Sequence, residues 1–153
     1  MKATAVIFTL LLLAGTLLPG CSKADILSGY DSVIRLAGEL GLTGDKNLQG
    51  ERQFGTDHYT GTYDVDYVNF TGTEHIFGGT ALERKEGETV EITCRIEGSA
   101  GEARLICNYG SDGPMILLDG AGEYAETIYL TPGSNYFTVQ CEDFTGSVEL
   151  KIE

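Results

Sequence analysis

The stretch "HYTGTYDVDYV", residues 58–68, alternates large and polar side chains along its length. Tyr59, Gly61, Tyr63, Val65 and Tyr67 fall on one side, and Thr60, Thr62, Asp64 and Asp66 on the other. A period of two belongs to a half-buried β-strand, because successive side chains of an extended chain point to opposite faces. The same period returns in "TVEITCRI" (89–96), which turns Val90, Ile92, Cys94 and Ile96 inward, and in "ARLICNY" (103–109), which does the same with Ala103, Leu105, Cys107 and Tyr109. "MILLD" (115–119), "YAETIYL" (124–130), "NYFTVQCE" (135–142) and "SVELKIE" (147–153) continue the series. Gly- and Ser-rich punctuation at "EGSAGE" (97–102), "DGAGE" (119–123) and "TPGS" (131–134) reads as turns. Residues 58–153 are therefore expected to form an antiparallel β-sandwich or jelly roll of roughly seven to eight strands, with a flattened barrel as the alternative.

A weak internal repeat runs through this region. "YDVDYVNFTGT" (63–73) aligns with "FTVQCEDFTGS" (137–147), and Phe-Thr-Gly recurs at 70–72 and 144–146. The reading is structural: a strand ends, the Phe plugs the core, and the Gly permits a corner.

Upstream the period changes. In "YDSVIRLAGELG" (30–41), Val33, Leu36, Ala37 and Leu40 share one face at helical spacing, and Gly41 is a stop signal. This predicts a short helix over about 30–40 that docks its apolar face on the domain. Residues 42–57 show no period and are expected to be loop, so that 21–57 is a tether carrying one short helix. Ahead of it, Lys2 is followed by an apolar run that ends abruptly at "LPGC" (18–21), too short to span a membrane as a helix.

Leu18-Pro19-Gly20-Cys21 resembles the bacterial lipobox. The resemblance implies a lipoprotein signal peptide over 1–20, a diacylglyceryl group on Cys21, and cleavage before it. Two acyl chains suffice for stable anchoring, at about 0.8 kcal/mol per buried methylene. The expected location is the extracytoplasmic face of a cell membrane. "YTGTYDVDYVNFTGTEHIFGGT" (59–80), together with "FTGSVEL" (144–150), is similar to a group of small lipoproteins of anaerobic bacteria. That resemblance implies a lipid anchor and a β-domain and supplies no chemistry.

Composition narrows the function. Acidic residues number 23 against 10 basic ones, giving a net charge of −13, which argues against nucleic acid and against lying flat on anionic lipid. The only histidines, His58 and His75, belong to no metalloprotease pattern, and no nucleophile elbow, phosphate loop or dinucleotide fingerprint is present. His75 reads as a strand residue. Asp64 and Asp66 share a strand face, and Asp112, Asp119 and Glu123 fall in expected loops without calcium-loop spacing, so they read as solvated acids. No enzyme activity, metal or cofactor is expected.

With Cys21 acylated, Cys94, Cys107 and Cys141 remain. Three reduced core thiols are favoured. The alternative is a Cys94–Cys107 bridge, which a hairpin through "EGSAGE" would bring into register. The candidate ligand site is a hairpin around "TPGS" that would set Tyr129 opposite Tyr136 as an exposed aromatic platform. The expected function is a membrane-anchored, non-catalytic binding or adhesion module for glycan or protein. The alternative is a structural or accessory subunit of a cell-envelope assembly.

Overall fold

The computed structural model describes residues 30, 33, 34, 37–110 and 112–153, and Asp31–Glu153 form one compact unit. The expected signal peptide and Cys21 lie outside the described residues. The domain is an antiparallel β-sandwich built from six strands: β1 (Glu51–Phe54), β2 (Gly61–Ala81), β3 (Thr89–Tyr109), β4 (Gly113–Asp119), β5 (Gly122–Tyr129) and β6 (Gly133–Ile152). The strand count falls below the expected seven to eight because β2 and β3 each run for 21 residues and β6 for 20. A straight strand of that length would reach about 70 Å, roughly twice the width of a domain this size. Each long strand bends midway and serves both layers.

The pairing register defines the layers. One contains β1, the first half of β2, the second half of β6, the first half of β3, and β5. The other contains the second half of β2, the first half of β6, the second half of β3, and β4. Inward side chains of both layers join a single core that includes Tyr63, Tyr67, Ile92, Ile96, Leu105, Phe137, Phe144 and Leu150. The alternation read from 58–68, 89–96 and 103–109 is observed at Tyr59, Tyr63, Val65, Tyr67, Val90, Ile92, Cys94, Ile96, Ala103, Leu105 and Cys107, which are buried; Gly61 and Tyr109 are only half-buried, and Thr60, read as outward, is buried where its hydroxyl meets Asp57.

The bends are bulges. Between β2 and β6 the register shifts from Tyr67 to Phe70 and again from Phe70 to Gly72, and Asn69 and Asp143 both adopt φ of 48°. The two sites tie each other: the Asn69 N–H donates to Thr145 Oγ1 at 2.9 Å, and the Asp143 N–H donates to Thr71 Oγ1 at 2.8 Å. Phe70 stacks on Tyr67 with centroids 4.9 Å apart, and Phe144 meets the same ring edge-on at 5.9 Å. The repeated Phe-Thr-Gly therefore marks two halves of one corner, and the strands pass through it rather than ending.

"EGSAGE" corrects a further expectation. It is a bend within β3, with register shifts at Gly98/Ala100 and Ala100/Glu102, and not a hairpin turn. Gly101 has φ +70°, and a Cβ there would lie 2.2 Å from the Asp143 carbonyl oxygen, so β3 can follow the β6 corner only with glycine at that point. Because β6 bends in step, the β3 backbone stays paired through the bend. Cys94 is thus opposite Tyr124 and Leu150, whereas Cys107 is opposite Met115 and Phe137.

The amino-terminal side also departs from expectation. Tyr30, Val33, Ile34 and residues 37–39 are helical as expected, but Val33 and Leu40 are 66% and 81% exposed and Ala37 is exposed. Contact is made through Gly38, which is buried: a Cβ on it would lie 2.2 Å from the Thr80 amide nitrogen. Residues 42–57 are not all loop, since they contain a 3₁₀ turn at Asp45–Asn47 and strand β1. This segment covers the free edge of β2. The Thr43 N–H donates to the His75 carbonyl, the His75 N–H donates to Thr43 Oγ1, and Arg52 Nη1 donates to the Ile76 carbonyl at 2.9 Å. The strand predicted from His58 begins at Gly61, because Asp57 Oδ1 accepts from the Tyr59 N–H and the Thr60 hydroxyl and so holds a turn.

One acid lies inside. Glu74 is 2% exposed and accepts hydrogen bonds from the Tyr63 and Tyr67 hydroxyls and, at 2.7 Å, from the Gln49 N–H. Removing the carboxylate would strand two buried hydroxyls, each costing about 1–3 kcal/mol, and would release the Gln49 N–H. Glu74→Ala is expected to lower unfolding free energy by about 3 kcal/mol or more in urea denaturation, with Tyr67→Phe costing less than half of that.

Candidate functional site: a tyrosine-lined groove at the open edge

The anticipated Tyr129–Tyr136 platform does not form. Its premise was a β5–β6 hairpin, but β5 pairs with β3 in one layer while β6 begins in the other. Tyr129 is opposite Thr89, and Tyr136 is opposite Gly78 and Asn108. The Tyr136 hydroxyl donates to the Gly38 carbonyl at 2.7 Å, so this ring fastens the amino-terminal segment to the sandwich. Tyr129 is 53% exposed, and its hydroxyl donates to Glu88.

Tyr129 has other aromatic company. Strands β4 and β5 are the outer strands of opposite layers on the same side of the sandwich and are joined only by the turn between Asp119 and Gly122. An open groove of about 470 Å³ lies there, lined by Tyr109, Met115, Ile116, Tyr124, Glu126 and Tyr129, among others. Tyr109, Tyr124 and Glu126 sit at positions whose alternation points inward. In the middle of the sheet such residues are buried; at this open side Glu126 is exposed and the two tyrosines are half-buried. An inward-facing charge on an outer strand also discourages edge-to-edge pairing with another chain.

Electrostatics keep these phenols neutral. Burial is the main cause that pushes Tyr109 up to about 12, with the Cys107 thiol and Tyr124 adding to it. Burial, then Glu126 and Cys107, raise Tyr124. The bond to Glu88 raises Tyr129. All three hydroxyls are therefore protonated donors at neutral pH, on rings that also offer apolar faces.

A second hollow of about 490 Å³ lies beside Phe54, Thr62, Thr89 and Lys151. Its aromatic ring is already engaged: the Arg52 guanidinium lies over Phe54 at 4.6 Å, and His58 meets it edge-on at 4.8 Å. His75 is a strand residue, as read from the sequence, and its Nδ1 is 2.9 Å from Thr138 Oγ1. Asp119 pairs with Arg104, and Glu123 with Arg95. Among the described residues, no group of three or more His, Cys, Asp or Glu side chains could hold a metal ion.

Cys94, Cys107 and Cys141 are free and buried, and the continuous β3 strand removes the register that a Cys94–Cys107 bridge required. Burial raises each thiol from 9.0 to about 12, with Glu74 adding to the rise at Cys141. Neutral, buried thiols are poor nucleophiles. In the unfolded chain they would ionise near their ordinary value, so the fold's advantage is complete below pH 9 and declines as pH rises towards 12. Alkylation of the native protein is expected to leave these three cysteines unmodified until denaturant is added, and the melting temperature is expected to fall across that alkaline window.

Sequence reasoning found Tyr129 but gave it the wrong partner. It placed Tyr109 among the inward residues and left Tyr124 and Glu126 unassigned, since nothing local shows which inward positions stay open. Tyr136→Phe is expected to cost about 1 kcal/mol through loss of the Gly38 bond, whereas Tyr129→Ala should melt with the parent protein; both are read by thermal denaturation.

No family model matches the sequence, and no curated protein matches it. Distant likenesses to solved structures exist. A family 35 carbohydrate binding module from an environmental isolate is 17% identical, with 73% of this chain and 91% of that chain covered and a TM-score of 0.38. The structure described as BiXyn10A CBM1 is 11% identical over 69% of this chain and 86% of that one, with a TM-score of 0.33. The C-terminal CBM6 of LamC from Zobellia galactanivorans is 8% identical over 69% and 88%, with a TM-score of 0.29. Likenesses this distant carry no information about what the chain binds.

Proposed function

We propose that the protein is a non-catalytic binding module, tethered to the extracytoplasmic face of a cell membrane through lipid on Cys21, whose ligand is a glycan held in the groove between β4 and β5. The observation that carries this reading is the grouping of Tyr109, Tyr124 and Tyr129 with Glu126 along one accessible groove. Sugars present apolar C–H faces and hydroxyl rims. Phenol rings match the first by stacking, while phenol hydroxyls and a carboxylate match the second by hydrogen bonding. The anchor rests on the lipobox-like "LPGC" (18–21) closing an apolar leader.

A second reading, an accessory subunit of an envelope assembly, draws support from exposed apolar side chains: Met115 and Ile116 on β4, and Tyr30, Val33 and Leu40 on the helical segment. The two readings separate on one experiment. The intact protein should bind glycans on an array, and Tyr124→Ala and Tyr129→Ala should each lose that binding while Tyr129→Ala keeps its melting temperature. A protein that binds no glycan yet is captured in a defined envelope complex would support the assembly role instead. In cells, Cys21→Ala should move the protein from the membrane to the soluble fraction; unchanged membrane partition would refute the anchor.

A further inference from the structure

We infer that the helical segment ahead of the sandwich lies on the membrane surface, with Val33, Ala37 and Leu40 against the lipid. The domain is then held at the bilayer in one orientation instead of swinging on its tether. This rests on the lipid anchor proposed above and adds to it a second, non-covalent contact with the bilayer.

The segment is fastened to the sandwich by its glycine side. A Cβ on Gly38 would lie 2.2 Å from the Thr80 amide nitrogen, and one on Gly41 would lie 2.5 Å from the Tyr136 hydroxyl. That hydroxyl donates to the Gly38 carbonyl at 2.7 Å, Glu39 Oε1 is 3.1 Å from His58 Nδ1, and Thr43 exchanges two hydrogen bonds with His75. Val33, Ala37 and Leu40 follow one another at spacings of four and three, which puts them on one stripe of a helix. All three are exposed. Rolling the segment to bury that stripe would withdraw Gly38 and Gly41 from contacts that only glycine permits and would break these bonds. An apolar stripe is thus held facing away from the protein's own core, the reverse of what an amphipathic helix docked on its domain presents.

What covers the stripe is decided by the chain that leads to it. Cys21 precedes Val33 by twelve residues, and a chain of that length reaches at most about 40 Å, roughly the width of a domain this size. With lipid on Cys21 the stripe cannot leave the neighbourhood of the bilayer, so its contact with lipid is intramolecular. Three side chains would hold a free protein on a membrane only weakly, but a tethered second contact needs little affinity of its own. Charge does not oppose it locally: between 22 and 41 the sequence sets Lys23 and Arg35 against Asp25, Asp31 and Glu39, and most of the net charge of −13 lies elsewhere. Apolar burial, and not attraction between charges, is the driving force, so the contact is expected to survive high salt.

The test uses the membrane-extracted, lipidated protein reconstituted in phosphatidylcholine vesicles. The sequence contains no tryptophan, so Leu40→Trp supplies a single fluorescent reporter. Val68→Trp, at the β2 corner, is the aqueous control, since Leu40 and Val68 are both 81% exposed and neither change should lower the melting temperature. On reconstitution the Leu40→Trp emission is expected to shift to the blue, to be quenched by brominated lipid and to be shielded from iodide, at high salt as at low. The Val68→Trp emission should stay that of a ring in water. Vesicle-bound protein in which the two reporters behave alike would overturn the inference and leave the anchor standing. Protein that does not float with the vesicles would overturn the anchor, and this inference with it. Loss of the blue shift at high salt would show attachment by charge and overturn the apolar contact. Lipid-free protein that dimerises, and ceases to with Leu40→Glu, would give the stripe to a second copy and overturn the inference, as would crosslinking from position 40 to one envelope protein in place of lipid.

Discussion

The corner shared by β2 and β6 is the constraint on which the remaining architecture depends. Two residues that are not glycine, Asn69 and Asp143, hold left-handed backbone, an arrangement these residue types tolerate better than most. What stabilises it is reciprocal: each bulge exposes an amide N–H, and the threonine of the opposite Phe-Thr-Gly accepts it. Thr71 Oγ1 also donates to Asp143 Oδ1 at 3.0 Å. The two phenylalanines close over Tyr67 and seal the bend from within. Because β6 is paired with both β2 and β3, its bend forces β3 to bend as well, and at Gly101 a side chain would collide with the β6 backbone.

The open edge follows from the same geometry. Three bent strands provide the centre of both layers, and the remaining strands can only be added outside them. On the β2 side, residues 43–54 supply both a short strand and side chains that satisfy the exposed backbone. On the far side β4 and β5 extend different layers and do not pair with each other. The groove lies between them, and its lining mixes inward-facing positions that stay open, Tyr109, Met115, Tyr124 and Glu126, with residues of the outer face such as Ile116 and Tyr129. That accounts for its mixed character, in which Met115 and tyrosine rings stand beside Glu126.

The interior polar groups divide by the same logic. Glu74 is tolerable in the core because three donors converge on it, and one of them, the Gln49 N–H, ties the approach to β1 down onto β2. The thiols need no partner, since a protonated thiol behaves as a small apolar group. Among the described residues, the surface carries the remaining acids, several of them paired with Arg52, Arg84, Arg95 and Arg104.

Much of this was legible along the chain. The period-two pattern at 58–68, 89–96 and 103–109 specified most of the buried side chains, because a strand half-embedded in a core has only two faces and hydrophobicity chooses between them; it missed Thr60, which a turn buries, and Tyr109, which the open side leaves half-buried. The repeat at 63–73 and 137–147 marked the corner, although the partner of each threonine was invisible. Strand partners were decided only in three dimensions. "EGSAGE" and "TPGS" have the composition of hairpin turns, yet the first bends within a paired strand and the second crosses between layers, since local composition sets how easily a chain turns and not which strand awaits it. The exposure of Val33 and Leu40, the separation of Tyr129 from Tyr136, and the open position of Tyr109 and Tyr124 all follow from pairings between residues far apart in sequence. Side-chain alternation is fixed by neighbours along the chain, whereas an open edge exists only once every other strand has found its place.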